Sequence, residues 1–235
     1  MSIESHLKTK PKDVITYYRQ HGLWALLKSV LRRLGFICHN RTLLFFHVDL
    51  TKFANGFTGP FTIHLATVEE VEREQDYYDG WFTKEHAIMN LLNGYQLFIF
   101  KQNGQIATYQ WLVFKTVKID WLEMHFDIPA DYVYYQAIYT IPELRGSGLG
   151  SKTNWEVFSY LKRKGYNHVL LVIDPDNTPS IRLFTHNGAE NYQRVHYRRY
   201  WLVRYYHVKK INSSESKTYI IPFMAPRDIW KTYLK

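Results

Sequence analysis

The chain has 235 residues, 46% hydrophobic and 17% aromatic, enough apolar matter for a packed core and too much for a disordered chain. Its one cysteine, Cys38, excludes an intrachain disulfide and a multi-cysteine metal site, and no metal is expected. The net charge of +9 is uneven, at +6, −5 and +8 over residues 1–60, 61–130 and 131–235, which suits a polyanionic ligand without choosing one.

In chain order, residues 1–58 read as a basic amphipathic extension. The opening MSIESHLKTKPKD lacks the apolar stretch of a secretory signal. No apolar run approaches the ~20 residues of a spanning helix. A cytoplasmic location is therefore expected. Helices are predicted over 12–21 and 23–34, the second with an apolar stripe of Leu23, Leu26, Leu27, Val30 and Leu34. Such a stripe packs on the domain itself or on a second copy in a homodimer, and a basic one also suits peripheral contact of residues 12–34 with an anionic membrane.

Residues 59–210 read as the catalytic domain. Phe61–Ala66 suits a strand, and Thr67 caps a helix with Glu69, Glu70, Glu72 and Glu74 in it. Trp81–Leu92 suits a second helix. Gln96–Phe100 and Gln105–Lys115 flank Asn103-Gly104, a hairpin signal. Strands are predicted near Ile119–Phe126 and over Tyr132–Ile141. A glycine loop follows, then a helix from Ser151 stopped by Gly165. Next come the apolar strand His168–Ile173, a helix capped by Asn177 and stopped by Gly188, and an aromatic, basic strand region over Tyr192–Tyr206. Residues 211–235 form a tail in which Tyr219–Phe223 suits an added strand.

The stretch YTIPELRGSGLGSKTN, from Tyr139 to Asn154, carries the chemistry. Strand, glycine loop, helix is a way to hold a pyrophosphate, because glycines let the backbone approach and a helix N-terminus adds positive potential. The spacing matches neither the Walker loop nor the dinucleotide fingerprint. It is R-x-x-G-x-G, met by Arg145, Gly148 and Gly150. A second block follows at Asn177, Ser180, Ile181, Leu183, Phe184, Gly188 and Ala189. Together the two blocks resemble the GNAT superfamily of N-acetyltransferases over residues 60–205.

That resemblance implies an α/β (α+β) fold, with a mixed central sheet flanked by helices, to which this chain adds the N-terminal helical extension. It implies acetyl transfer from acetyl-CoA to a primary amine of a small molecule by direct attack. Backbone of Tyr139, Thr140 and Ile141 would pair with the pantetheine arm of coenzyme A. The loop Leu144, Arg145, Gly146, Ser147, Gly148, Leu149, Gly150 and Ser151 would cradle the pyrophosphate. Asn177, Ser180 and Phe184 would lie near the reactive end. The family often has tyrosine where Phe184 stands, as the acid for the departing thiolate, and phenylalanine cannot donate a proton.

The residues themselves offer further candidates. If 119–126 is a regular strand, Glu123, His125 and Asp127 share one face, and Glu123 or Asp127 could deprotonate the amine. Tyr192 could replace the missing acid. His196 and Arg198 could bind a substrate oxyanion, which arginine forks suit. Two other functions stand beside acetyl transfer. One is long-chain N-acyl transfer from acyl-CoA or an acyl carrier protein at a membrane surface. The other is non-enzymatic binding of anionic lipid or nucleic acid, although no specific nucleic-acid motif is present.

Overall fold

The computed structural model describes Leu23 and residues 37–53, 64–73, 83–200 and 203–222. The predicted helices 12–21 and 23–34, and the membrane or dimer contact drawn from them, lie outside these residues apart from Leu23 itself. The chain forms two compact units. Of the described residues, one comprises Leu23, 37–41, 196–200, 203–208 and 216–222, the other 42–53, 64–73, 83–195 and 209–215.

The larger unit holds a mixed sheet. Its elements are β1 (Ile37–Asp49, from Thr42 on), β2 (His64–Leu65), α1 (Val68–Arg73), α2 (Lys84–Leu92), β3 (Gln96–Gln102), β4 (Gln105–Val113), β5 (Thr116–Ile119), β6 (Met124–Asp127), β7 (Tyr132–Thr140), α3 (Leu149–Arg163), β8 (His168–Ile173), α4 (Thr178–His186) and the first half of β9 (Glu190–Tyr200). The order is β9-β1-β8-β7-β4-β3-β2, with β5 and β6 as a separate hairpin. In the smaller unit, the second half of β9 is followed by β10 (Val203–Lys210) and β11 (Ser216–Pro222), in the order β11-β10-β9. The predicted Tyr192–Tyr206 region is thus two strands.

Local chemistry explains the elements. Asn103 and Gly104 have φ of 53° and 80°, the pair of left-handed residues that a tight β3–β4 hairpin needs. Thr67 and Glu70 form a reciprocal cap on α1: Thr67 N–H donates to Glu70 Oε2 at 2.9 Å, and Glu70 N–H to Thr67 Oγ1 at 3.3 Å. Asn177 Oδ1 accepts from Ser180 N–H at 3.2 Å to cap α4. Gly165 and Gly188, at φ 89° and 83°, stop α3 and α4.

The sheet is buried on both faces. On one, Phe98, Phe100, Leu112, Val133, Tyr135, Val169, Leu171 and Ile173 pack with Val157, Phe158 and Leu161 of α3. On the other, Leu97, Ile99, Tyr109 and Trp111 pack with Val71 of α1 and Ala87 of α2. The alternation along β3 and β4 is the strand period of two made visible.

Two expectations change. Residues 37–49, read as part of the N-terminal extension with no element assigned, form β1, and Leu44–Asp49 pair antiparallel with β8. The buried run Leu43–Phe46 is short and continuously apolar, a pattern that periodicity alone does not separate from a helix. Residues 119–126 are not one strand. β5 ends at Ile119, Asp120–Leu122 make a 3-10 turn, and Glu123 takes a left-handed conformation at φ 51° before β6 begins.

Candidate functional site

β7 and β8 run parallel and are paired from Tyr132↔His168 to Tyr135↔Leu171. Past that point the ladder stops, although β7 continues to Thr140 and β8 to Ile173. The separated strand ends border a cavity of about 410 Å³, lined from β7 by Tyr135–Tyr139, from β8 by Leu171–Ile173, and from the segments that follow them by Arg145, Asp174, Asn177 and Ser180. Tyr109, Trp121 and Phe184 complete its wall.

The split in the ladder leaves the edge of β7 as a template. Ile141 N–H donates to Ala107 O of β4 at 3.1 Å, so Ile141 is turned toward β4. Backbone groups alternate sides along a strand, which turns Tyr139 the same way and leaves Ile138 and Thr140 facing the cleft. The Thr140 carbonyl is already held by Arg145 Nε at 3.0 Å. Of the three residues expected to pair with a pantetheine arm, Thr140 is therefore the one turned to the cleft, and Ile138 joins it. A bulge interrupts the β4–β7 register: Trp111 opposes Ala137 and Leu112 opposes Tyr135, so Gln136 is the extra residue. Gln136 Oε1 is shielded from solvent and has no hydrogen-bond partner among the described residues.

The glycine loop crosses the end of β7. Gly146 and Gly148 have φ of 79° and 78°, and a Cβ added at either would meet nothing within 4 Å. Both are conformational requirements beside open space. Several loop amides are already used: Leu144 N–H donates to Ile141 O, Arg145 N–H to Pro142 O and Ser147 N–H to Leu144 O. Leu149 N–H reaches Ser147 Oγ at 3.4 Å. The helical ladder of α3 begins with Lys152 N–H to Gly148 O at 3.1 Å, so the amides of Gly150 and Ser151 precede it. An oxyanion at this end meets those amides and the positive end of the helix dipole.

The inner wall is held by a buried polar network. Tyr135 OH donates to Asn154 Oδ1 of α3 at 2.6 Å, and burial holds its ionisation far above the ordinary phenol range. Gln110 Nε2 donates to Thr153 Oγ1 at 2.9 Å. Phe184 is buried, its ring edge-on to Tyr135 at 5.1 Å.

The remaining candidates stand elsewhere. Glu123 sits at the left-handed turn, so the face it was expected to share with His125 and Asp127 does not exist, and Asp127 accepts from Thr116 Oγ1 at 3.0 Å across the hairpin. Neither carboxylate lines the cleft. Tyr192 is 37% exposed and meets Phe45 and His47 edge-on, at 6.4 and 6.5 Å, where partial burial raises its hydroxyl pKa. It does not line the cleft either. Arg198 and His196 belong to the smaller unit, where Arg198 Nε donates to His196 Nε2 at 2.8 Å. Sequence reasoning missed Tyr109, Trp121, Ile138 and Asp174. They belong to no motif: the β4–β7 pair brings Tyr109 and Ile138 to the cleft, the β5–β6 hairpin brings Trp121, and the end of β8 brings Asp174.

The family model of the acetyltransferase (GNAT) family matches residues 63–189. A search of curated proteins finds no match. Among solved structures, an acetyltransferase from the GNAT family of Colwellia psychrerythraea is 14% identical, with 71% of this chain and 59% of that one covered at a TM-score of 0.47. A GCN5-related N-acetyltransferase from Sphaerobacter thermophilus is 16% identical, with 81% and 58% covered at 0.46. The ribosomal-protein-S18-alanine N-acetyltransferase from Escherichia coli is 17% identical, with 55% and 76% covered at 0.41. This chain therefore spans under two thirds of the first two structures. The family match covers just over half of the chain and contains the glycine loop, the split between β7 and β8 and every residue of the cleft lining, so the chain belongs to the acetyltransferase (GNAT) family.

Proposed function

We propose that the protein transfers an acetyl group from acetyl-CoA to a primary amine of a small molecule. The observation that carries this is the split between β7 and β8 past Tyr135 and Leu171, which borders a cavity whose lining includes Arg145 of the glycine loop. A pyrophosphate fits the amides of Gly150 and Ser151 and the helix end behind them. The pantetheine arm lies along Ile138 and Thr140 as an added strand. The thioester then reaches the bulge at Gln136, between the two faces of the sheet.

The chemistry follows from the groups at hand. The amine must be neutral to attack, so the ammonium first loses a proton. Asp174 is the one carboxylate among the described residues of the cleft lining, and its Oδ1 is committed to Asp176 N–H at 2.9 Å. Its second oxygen is the group to which that proton passes. The nitrogen attacks the thioester carbonyl, the C–N bond forms, the C–S bond breaks and its electron pair leaves on sulfur. Tyr135 is neither base nor acid here, since its hydroxyl is engaged with Asn154 and burial keeps it protonated. The thiolate takes its proton from water, because Phe184 offers none.

Binding of acetyl-CoA by calorimetry, with release of free thiol on adding an amine, tests this reading. No binding by the folded protein, or unchanged affinity in Gly148→Val, overturns it.

A further inference from the structure

The cleft passes through the sheet, so it has two faces. On the α3 side stand Tyr135, Ile138 and Phe184, all in or against the core that α3 covers. On the other side stand Tyr109, Ala137 and Tyr139, in or against the core that α1 and α2 cover. Val172 alternates with Leu171 and Ile173, which pack on the α3 side, so it faces away from α3.

The second face is aromatic. Tyr109 and Tyr139 are stacked, with ring centroids 5.2 Å apart and planes 26° from parallel. Trp121 joins them from the tip of the β5–β6 hairpin, and it is 50% exposed. A single exposed tryptophan is ordinary on a protein surface. This one borders a cavity, on a tip whose next turn holds Glu123 in a left-handed conformation that side chains rarely adopt. Strain of that kind persists where the surroundings fix a tip in place. Gln136, the bulge residue, also lines the cleft, and its Oε1 is shielded and unpartnered among the described residues. A buried acceptor without a donor is costly unless a ligand supplies one.

We propose that Trp121 and the Tyr109–Tyr139 pair form a subsite for a primary amine carried on a flat, apolar ring, with Gln136 Oε1 accepting a hydrogen bond from the amine nitrogen. This rests on the acetyl-transfer reading for the nature of the donor. Trp121 is the specificity residue, because it is the accessible ring surface. Gln136 is the positioning residue, because it aims the nitrogen at the end of the donor groove.

The test compares 2-phenylethylamine with butylamine, which share the amine and differ in the ring. Affinity is read by ligand-observed NMR on the full chain, with and without coenzyme A, and KM by thiol release from acetyl-CoA. A ring stack adds to the burial of apolar area, so phenylethylamine should bind up to about tenfold more tightly. Trp121→Ala should bring the two amines within about twofold, and Trp121→Phe should restore most of the difference. Gln136→Leu should weaken both amines alike and leave their ratio intact. Acetyl-CoA affinity should be unchanged in the Trp121 variants. Equal affinity for the two amines in the native protein, or an unchanged ratio in folded Trp121→Ala, overturns the proposal. Failure to bind acetyl-CoA instead overturns the donor reading, and the amine ratio, read by binding alone, still decides the subsite.

Discussion

Arg145 Nε donates to the Thr140 carbonyl at 3.0 Å, and this bond ties the glycine loop to the end of the strand whose edge faces the cleft. The same guanidinium lies over the Tyr139 ring, 5.3 Å from its centroid. Arg145 therefore organises the loop before any anion arrives. Hydrogen bonds to a charged group are worth about 1.5–3 kcal/mol. Arg145→Ala should weaken coenzyme A by about tenfold or more. Arg145→Lys should recover only part, because an ammonium cannot donate at the Nε position while covering the ring. Calorimetry on the two variants checks this, and native affinity in Arg145→Ala would remove the role.

Gly148 and Gly150 are both glycine for different reasons. At Gly148, φ is 78° and no atom lies within 4 Å of an added Cβ. A side chain there strains the backbone by about 1–2 kcal/mol and occupies the space where the phosphates would sit. Gly148→Val should fold with a lowered melting temperature and bind acetyl-CoA at least about a hundredfold more weakly, a loss of roughly 2.8 kcal/mol. At Gly150 an added Cβ would meet Thr140 Oγ1 at 3.5 Å and Leu183 at 3.6 Å, ordinary contacts. Gly150→Ala should keep native stability, so any loss of affinity in it reports the approach of the ligand alone. A destabilised Gly150→Ala protein would contradict that reading.

The two motif blocks were legible because their spacing is set by local chemistry. The caps at Thr67 and Asn177, the left-handed glycines and the Asn103-Gly104 turn are each satisfied within a few residues. β1 was not legible, because its partner β8 lies more than a hundred residues away and nothing near Leu43–Phe46 announces a strand. Glu123 shows a second limit. Flanked by Leu122 and Met124, it reads as mid-strand, yet it is the pivot of a hairpin. The cleft wall draws Tyr109 from the β4–β7 register, Trp121 from a hairpin tip and Asp174 from the end of β8, and such long-range pairing is not written in any short stretch of sequence.

Phe184 stands where the resemblance would place a proton-donating tyrosine. It lines the cleft, is 3% exposed and meets Tyr135 edge-on. Since the ring offers no proton, turnover should not depend on a hydroxyl there. Phe184→Tyr should keep activity within a few-fold or raise it, while Phe184→Ala should unfold the cleft wall, at a cost of about 3–5 kcal/mol. Steady-state rates and thermal melts separate the two effects. Loss of turnover in a folded Phe184→Tyr enzyme with unchanged acetyl-CoA affinity would show that an added hydroxyl disturbs the thioester.

Away from the cleft, at the other end of β8, His47 Nε2 lies 3.0 Å from His168 Nδ1, one ring donating and the other accepting. Tyr132 and Tyr192 face His47 from β7 and β9, and Asp49, Glu190 and Lys52 are its charged neighbours. Burial first, and the His168 charge second, lower the His47 pKa below its ordinary 6.5. In mild acid the unfolded chain holds a proton on this imidazole that the folded chain resists, so stability rises with pH in that window. It is complete above the ordinary value and is lost as pH falls through 6.5 toward the lowered folded value. The bond also fails, because two protonated rings cannot share it. The urea midpoint should therefore fall between pH 7 and pH 5, and fall less in His47→Asn, which cannot be protonated. His196, also lowered by burial, contributes with the same sign in both proteins and drops out of the difference. An equal fall in the two proteins would show that the pair does not couple β1 to β8 through its proton.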